Sequence, residues 1–180
     1  MLKINIGNVN SITMRIQGKA LKYGDDINTD LIIAGRYLHI YDPDQLASHA
    51  MEDLDPKFHE KFVKGNILVA GKNFGCGSSR EQAVISLKYA GVRAIVATSF
   101  ARIFFRNAIN LGIPVVKVQS SEIHSGDEIV IDMTNGSVEN LTTGITLQGE
   151  KLPKKIIELI HDGGLLHHIM KARNTPPSRK

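Results

Sequence analysis

The sequence predicts an α/β fold with a central, largely parallel sheet, followed by a C-terminal β-hairpin and helix. Between residues 66 and 118, three short apolar runs alternate with two segments of helical periodicity. Strand–helix–strand repeats with short connections form right-handed parallel units. After residue 126 the pattern changes to short strands around a polar turn, which is typical of an antiparallel hairpin. The chain has 180 residues, of which 42% are apolar, so we expect one domain over residues 1–180 with its core from about 12 to 171.

The helices and strands are predicted from the spacing of apolar residues and from residues that favour the start or the end of a helix. Asp42 followed by Pro43 is a favoured pair for a helix start, Asp55 begins another short helix, and Ser99 is predicted to cap a third. Residues 1–11 show no pattern, and residues 174–180 are predicted to be a disordered tail. Strands are predicted at 12–20, 66–70, 94–97, 115–118, 127–133, 138–141 and 145–147, and the longer helices at 79–90, 100–111, 153–161 and 165–171.

The stretch 66–81 contains the strongest functional pattern, an apolar strand followed by a glycine-rich loop and a helix start. Ser78 and Glu81 have the S-x-x-E spacing of a capping box, which predicts that the helix starts at Ser79. The amide groups of a first helical turn, together with two hydroxyls and Arg80, form a natural seat for an anion. Ligands of parallel sheets bind at the carboxyl ends of the strands, where this loop falls. The loop glycines are Gly71, Gly75 and Gly77.

Two nucleotide-binding motifs do not fit this loop. A Walker A loop needs Gly-Lys-Ser/Thr at its end, but Lys72 precedes the loop glycines. A dinucleotide fingerprint needs a third glycine where Arg80 stands. A carboxylate or a phosphate is the better ligand. The pattern alone leaves open that Ser78 only caps the helix and that Arg80 only pairs with a surface acid.

No metal site is predicted on this chain. The acidic stretch 25–30 has the opening spacing of a calcium loop, but Leu31 replaces the required glycine and Tyr37 replaces the glutamate. This stretch is therefore predicted to be an acidic turn with Asx-type hydrogen bonds to its own backbone, with a direct catalytic role as the alternative. Cys76 is the single cysteine, so the chain has neither an internal disulfide nor a multi-cysteine metal site.

Composition narrows the range of partners. The formal net charge is +4, but the positive residues are scattered, tryptophan is absent and aromatics make up 6%, so nucleic acid is not an expected partner. No apolar run is long enough to span a bilayer, and the start of the chain lacks a signal-peptide pattern. We therefore predict a cytoplasmic protein that binds a small acidic molecule and does not contact membranes.

The segments 75–81 (GCGSSRE), 99–108 (SFARIFFRNA) and 112–114 (GIP) resemble the swivelling domain of the aconitase superfamily. More closely, they resemble the small subunits of 3-isopropylmalate dehydratase and of homoaconitase-like enzymes. The resemblance extends from about residue 14 to 171 and implies a three-layer β/β/α swivelling domain. Further matching segments are 23–30 (YGDDINTD), 34–38 (AGRYL), 141–144 (LTTG) and 163–165 (GGL).

The resemblance implies a hydro-lyase of two subunits that isomerises 2- and 3-isopropylmalate in leucine biosynthesis by dehydration and rehydration. By motif, Ser78 is the base, while Ser79, Arg80 and the backbone at Gly77 bind the substrate carboxylate. A [4Fe-4S] cluster is expected on the large subunit and no cofactor on this chain, because Cys76 alone cannot hold a cluster. The chain is expected to be inactive alone and to be able to self-associate when isolated.

Substrate choice depends on the segment after residue 38 in this family. His39, Ile40 and Tyr41 favour an apolar substituent on the substrate, although a cationic His39 would suit a carboxylate. The alternatives are a homoaconitase, a citraconate or methylmalate dehydratase, or a dimethylmalate dehydratase. Arg36 is expected either to bind substrate or, as the favoured interpretation, to bridge to an acid of the 25–30 stretch.

Two non-enzymatic interpretations remain, a ligand-binding module that uses the same loop and a structural subunit that docks on a larger enzyme. Arg102 and Arg106 are four residues apart on one helix face. They are expected to pair with a partner or with the 25–30 stretch, or else to lie on a solvated face.

Overall fold

A seven-stranded sheet runs through the computed structural model, which describes residues 14–174. The strands are β1 (Arg15–Lys22), β2 (Ile67–Ala70), β3 (Ala94–Ala97), β4 (Val115–Lys117), β5 (Glu128–Asp132), β6 (Ser137–Asn140) and β7 (Ile145–Gln148). The helices are α1 (Thr29–Ile32), α2 (Pro43–Ala47), α3 (Phe58–Lys61), α4 (Glu81–Tyr89), α5 (Arg102–Asn110), α6 (Lys154–His161) and α7 (Leu165–Asn174), with a 3-10 turn over Gly35–Tyr37. The strand order is β4-β3-β2-β1-β5-β6-β7.

Strands β1 to β4 form the parallel half of the sheet. Every residue of β2 and β3 is buried, as expected for short β-branched and small apolar strands covered on both faces. Helix α4 contributes Ala83, Val84 and Leu87 to the core. The predicted α/β class and the parallel sheet are confirmed, and β2, β3 and β4 end within one residue of the predicted positions.

Strands β5 to β7 form an antiparallel half that joins the same sheet through β1. The first part of β1 pairs with β5, and its end pairs with β2. Burial alternates along β5 and β6, so one face packs on the core and the other is open. The Asp132 carboxylate accepts hydrogen bonds from the backbone of Thr134 and Asn135 and shapes the turn. The predicted hairpin is therefore confirmed.

The start of α4 differs from the prediction. The helix begins at Glu81 rather than Ser79, and its N-cap residue is Arg80, with no capping bond from a side chain. The backbone of Arg80 is extended (φ −133°, ψ 112°), so the preceding residues cannot belong to the helix. The carbonyl of Ser78 instead accepts a hydrogen bond from the Thr29 hydroxyl at 2.9 Å. The predicted capping box is wrong.

Helix α5 also starts later than predicted. Ala101 is its N-cap residue, and Ser99 does not cap it. The Ser99 hydroxyl accepts the backbone N–H of Asn73 at 2.8 Å, so this serine supports the glycine-rich loop instead. Helix α7 extends three residues beyond its predicted end. The predictions for residues 1–13 and 175–180 lie outside the described residues, and residue 174, predicted to start the tail, is the last residue of α7.

The segment 42–65 is helical in part, and its helix α2 packs against α4. Asp42 is confirmed as the N-cap of α2, since its carboxylate accepts the Gln45 N–H at 2.8 Å and Pro43 is the first helical residue. The helix predicted at Asp55 begins only at Phe58, whose side chain is fully buried.

Candidate active site

A cleft of about 430 Å³ lies at the carboxyl ends of β2 and β3. One wall is the glycine-rich loop 71–80, and the other is the start of α5. Because parallel strands deliver the loops that follow them to one edge of the sheet, both walls converge there. The lining residues are Thr29, Gly75, Gly77, Ser78, Ser79, Arg80, Ala101, Arg102, Ile103, Phe104, Arg106 and Asn107.

Hydrogen bonds hold the loop wall from two sides. The Asp25 carboxylate accepts the Lys72 N–H at 2.7 Å, and the Gly75 N–H donates to the Ile27 carbonyl at 2.8 Å. The acidic stretch 25–30 therefore acts as a turn that supports the loop. At Gly75 the backbone approaches the Phe104 ring so closely that a Cβ would lie 2.2 Å from Cγ of that ring. The loop is therefore fixed by its backbone against α5.

Ser78 and Ser79 are exposed to the cleft. Neither hydroxyl has a hydrogen-bond partner within residues 14–174, whereas the Ser78 backbone is held by Thr29. Gly77 precedes them with φ +89°, a conformation that favours glycine and turns the chain outward. The hypothesis that Ser78 only caps a helix is therefore wrong, and both hydroxyls are available to a ligand.

Arg80 lies at the edge of the cleft with its side chain only 15% exposed. Its guanidinium Nη1 forms an ion pair with Asp30 and donates to the Ile33 carbonyl at 3.2 Å. The sequence left open that Arg80 pairs with an acid, and this pairing is present. The pair orients Arg80 and offsets its charge, while the residue still lines the cleft beside Ser79.

The three residues proposed to select the substrate lie apart from this cleft. His39, Ile40 and Tyr41 follow the 3-10 turn, and none is among the described residues that line the cleft. Tyr41 is 94% exposed, and the Ile40 N–H donates to the Tyr37 carbonyl at 3.0 Å. This chain alone therefore does not bring the 39–41 segment and Ser78 into one pocket.

Arg36 has a structural partner other than the predicted one. Its Nη1 donates to the Asp53 carboxylate at 2.9 Å, and its guanidinium lies 4.6 Å from the centre of the Tyr37 ring. The hydrogen bond from Arg36 lowers the pKa of Asp53. The predicted bridge to the 25–30 stretch is wrong: Arg36 pairs with Asp53, and it is Arg80 that pairs with Asp30 of that stretch.

The α5 wall supplies residues that the sequence analysis did not include in the site. Arg102, Ile103, Arg106 and Asn107 all line the cleft. The sequence left open that Arg102 and Arg106 pair with an acid of the 25–30 stretch, and the structure shows that neither does. Their spacing of four placed them on one helix face, but only the packing of α5 shows that this face meets the loop. Thr29 was likewise missed, since its role depends on a contact with the distant Ser78.

No cluster of three or more metal-binding side chains occurs within residues 14–174. With a single cysteine, this chain does not supply the set of thiolates that an iron–sulfur cluster needs. In the described part of the chain, no helix has the length and apolar character needed to cross a bilayer.

The fold and the loop define the class of protein. The aconitase C-terminal domain family matches residues 8–121, and the chain belongs to that family. Among its relatives, the 3-isopropylmalate dehydratase small subunit of Ruminiclostridium cellulolyticum is 49% identical over 158 residues, which are 87% of this chain and 97% of the relative. The methanogen homoaconitase small subunit of Methanothermobacter thermautotrophicus is 48% identical over 160 residues, 89% of this chain and 94% of the relative.

A solved structure also matches this chain. A crystal structure of 3-isopropylmalate dehydratase from Methanocaldococcus jannaschii superposes with a TM-score of 0.85 at 45% sequence identity. The match covers 89% of this chain and 96% of the other. The resemblance drawn from residues 75–81 and 99–108 is therefore confirmed.

Proposed function

We propose that this chain is the small subunit of a 3-isopropylmalate dehydratase and that its Ser78 is the catalytic base. The observation that carries the proposal is a pair of exposed serine hydroxyls, without hydrogen-bond partners in residues 14–174, beside an oriented arginine at the carboxyl ends of parallel strands. The relatives named as 3-isopropylmalate dehydratase small subunits support the assignment to a hydro-lyase that works with a large subunit.

In the proposed reaction, the Ser78 alkoxide takes the proton from the carbon next to a substrate carboxylate. The O–H bond forms as the C–H bond breaks, and the electron pair forms a double bond as hydroxide leaves the neighbouring carbon. Hydroxide then adds to the carbon that lost the proton, and the Ser78 hydroxyl returns its proton to the carbon that lost hydroxide, which gives the isomer and regenerates the alkoxide. Ser79, Arg80 and the backbone at Gly77 bind the carboxylate and hold the reacting carbon over Ser78.

A serine hydroxyl is a weak base in water, so the site needs a second component. Preorganised dipoles and cations stabilise an alkoxide only where water is excluded. In this chain the cleft is open above Ser78, and we propose that the large subunit covers it. The [4Fe-4S] cluster that would act as the Lewis acid for the leaving hydroxyl is proposed to be held by that subunit.

A homoaconitase small subunit is the second candidate. It is supported by the relative of that name at 48% identity and by arginines that line the cleft. The two functions differ in substrate, since homoaconitate carries one more carboxylate than isopropylmalate. Parallel assays with isopropylmalate, homoaconitate, citraconate and dimethylmalate therefore separate them.

The test is the rate of the complex formed by co-expression with the matching large subunit, assayed without oxygen. Ser78→Ala is expected to lower kcat by about 10²- to 10⁴-fold, the usual contribution of a general base, with complex formation unchanged. Ser121→Ala changes another exposed serine, outside the cleft, and is expected to have no effect. A Ser78→Ala complex with the wild-type rate would show that the chain has a structural role only.

A further inference from the structure

We propose that Arg102, Ile103 and Arg106 of α5 form a docking surface for the large subunit, and that the segment of that subunit seated on them is acidic with an apolar centre. The inference rests on the proposed function, in which the large subunit covers the cleft. It deepens that function by naming the residues of this chain that hold the cover in place.

The three residues form one exposed group at the rim of the cleft. All three line the cleft, and Ile103 is 44% exposed. Arg102 and Arg106 are exposed as well, and residues three or four apart are neighbours on a helix surface. The opposite face of α5 packs in the core through Phe104 and Ala108. The group therefore lies on the side of α5 that the fold leaves uncovered.

The two arginines of the group carry uncompensated charge. Acidic side chains lie at ion-pairing distance from Arg15, Arg36 and Arg80. Within residues 14–174, neither Arg102 nor Arg106 has such a partner, and the first turn of α5 contains no acidic residue. The rim is therefore a local excess of positive charge.

The group does not serve the fold of this chain. Arg102 is the first residue of α5, where the helix dipole places partial positive charge, so a cation there costs stability. Ile103 leaves apolar surface in water. Arginines around an apolar side chain are typical of protein–protein interfaces, in which arginine is enriched. The group is therefore built for contact with another molecule.

The position of the group selects the large subunit as that molecule. A serine base needs a site closed to water, and α5 forms one wall of the site. Any chain that closes the cleft over Ser78 therefore meets the exposed face of α5. In a two-fold contact between copies of this chain, by contrast, the same patch would face itself, and its like charges would repel.

The chemistry of the group selects an acidic segment. Guanidinium groups bind carboxylates through paired, charge-assisted hydrogen bonds, which fix orientation as well as position. Arginine is also less strongly hydrated than lysine, so burying it at an interface costs less. Carboxylates on Arg102 and Arg106 with an apolar side chain on Ile103 would hold the large subunit at a defined angle over the cleft.

The experiment measures assembly directly, by calorimetric titration of this chain into the large subunit at about 0.1 M and at about 1 M salt. Arg102→Gln and Arg106→Gln are each expected to weaken binding about 10- to 100-fold at low salt. Because salt screens contacts between charges, this loss should shrink at high salt. Ile103→Asn is expected to weaken binding about 10-fold at both salt concentrations, since an apolar contact is not screened.

The matched control is Arg173→Gln on α7, which removes the same side chain and charge outside the cleft. It is expected to bind the large subunit with wild-type affinity at both salt concentrations. Denaturant unfolding of each isolated variant, with midpoints expected near that of wild type, separates weaker docking from loss of the fold.

Three results would overturn the inference. The first is wild-type affinity in all three α5 variants. The second is a raised KM for isopropylmalate at saturating large subunit with assembly unchanged, because the arginines would then contact the substrate. The third is self-association of the isolated chain that Arg102→Gln abolishes while binding to the large subunit stays normal, which would assign the surface to a second copy.

Failure of the proposed function is recognised differently, as a wild-type complex that assembles but converts no isopropylmalate. The titration requires no turnover, so it still decides whether the α5 group docks the large subunit.

Discussion

The two halves of the sheet differ in where the loops that follow their strands lie. In the parallel half, β2 and β3 are buried along their whole length, and the loops that follow them meet at one edge. In the antiparallel half, successive strands end at opposite edges, and β5 and β6 bury only alternate residues. The antiparallel half widens the core without bringing loops together.

The comparison shows why the candidate site lies where it does. Ser78 and Arg80 follow β2, while Arg102 and Arg106 follow β3, so two adjacent parallel strands supply both walls. Substitutions near these strand ends should change catalysis, whereas substitutions among β5, β6 and β7 should change only stability.

Gly75→Ala and Gly144→Ala compare two glycines with nearly equal φ angles, +77° and +75°. At Gly75 the new methyl group would lie 2.2 Å from Cγ of Phe104, whereas at Gly144 it would meet nothing within 4 Å. Both variants carry the strain of a left-handed residue, about 1 kcal/mol. Only Gly75→Ala must also displace the loop or α5, so we expect it to lose about 3 kcal/mol of stability and at least about 100-fold in kcat/KM.

The measurements are denaturant unfolding of the isolated chain and turnover of the assembled complex. Gly144→Ala serves as the matched control, with turnover expected at the wild-type level. Equal losses of turnover in both variants would mean that the contact between loop and α5 does not govern the site.

Thr29→Val tests the support beneath Ser78, the proposed base. The Thr29 hydroxyl donates to the Ser78 carbonyl at 2.9 Å, and valine keeps the shape of the side chain but removes the donor. We expect a loss of about 1 kcal/mol in stability and about 10-fold in kcat, because Ser78 moves relative to the substrate. Wild-type kcat in Thr29→Val, measured on the assembled complex, would show that the loop backbone holds Ser78 without this bond.

The sequence predicted the strands of the parallel half well because short, continuous apolar runs are local features. Ala94–Ala97 was predicted at its observed bounds, and glycines marked the loop after β2. The helix starts were predicted less well. Ser78 had the letters of a capping box, but Thr29, far away in the sequence, holds its carbonyl and keeps the segment out of the helix.

Long-range partners explain the other differences in the site. Several acidic residues were candidate partners for Arg36 and Arg80. The sequence did not show that Arg36 would pair with Asp53 and Arg80 with Asp30. The α5 wall was missed for the same reason, since the pairing of Phe104 with Phe74 depends on how the helix packs. Motif and periodicity therefore located the loop, whereas tertiary contacts determined its opposite wall.

Asp127→Asn tests stability in the antiparallel half. The Asp127 carboxylate accepts the backbone N–H of His124 at 2.8 Å and the side-chain amide of Asn140 at 2.7 Å. The backbone hydrogen bond from His124 and the amide of Asn140 lower the pKa of Asp127. The substitution should therefore cost about 1 to 2 kcal/mol at pH 7, with turnover of the complex unchanged.

The same carboxylate gives a pH dependence. Because the folded-state pKa lies below the unfolded value of about 3.9, the ionised group stabilises the fold above that pH. This contribution is lost as the pH falls through the folded-state pKa. The difference in melting temperature between wild type and Asp127→Asn should be constant from pH 7 to about pH 5 and should shrink below about pH 4. A difference that persists unchanged in acid would show that the ionised form is not the source of the stability.

Leu141→Ser should have the smallest effect. Leu141 directly follows β6 on the open face of the antiparallel half, and the residue is 46% exposed. An exposed apolar residue contributes little to the core, so the free energy of unfolding should change by less than about 0.5 kcal/mol. Turnover of the complex should stay at the wild-type level, because no strand end of the antiparallel half reaches the cleft. A fall in turnover with normal stability of the isolated chain would mean that the open face contacts the large subunit, and the antiparallel half would then share in assembly.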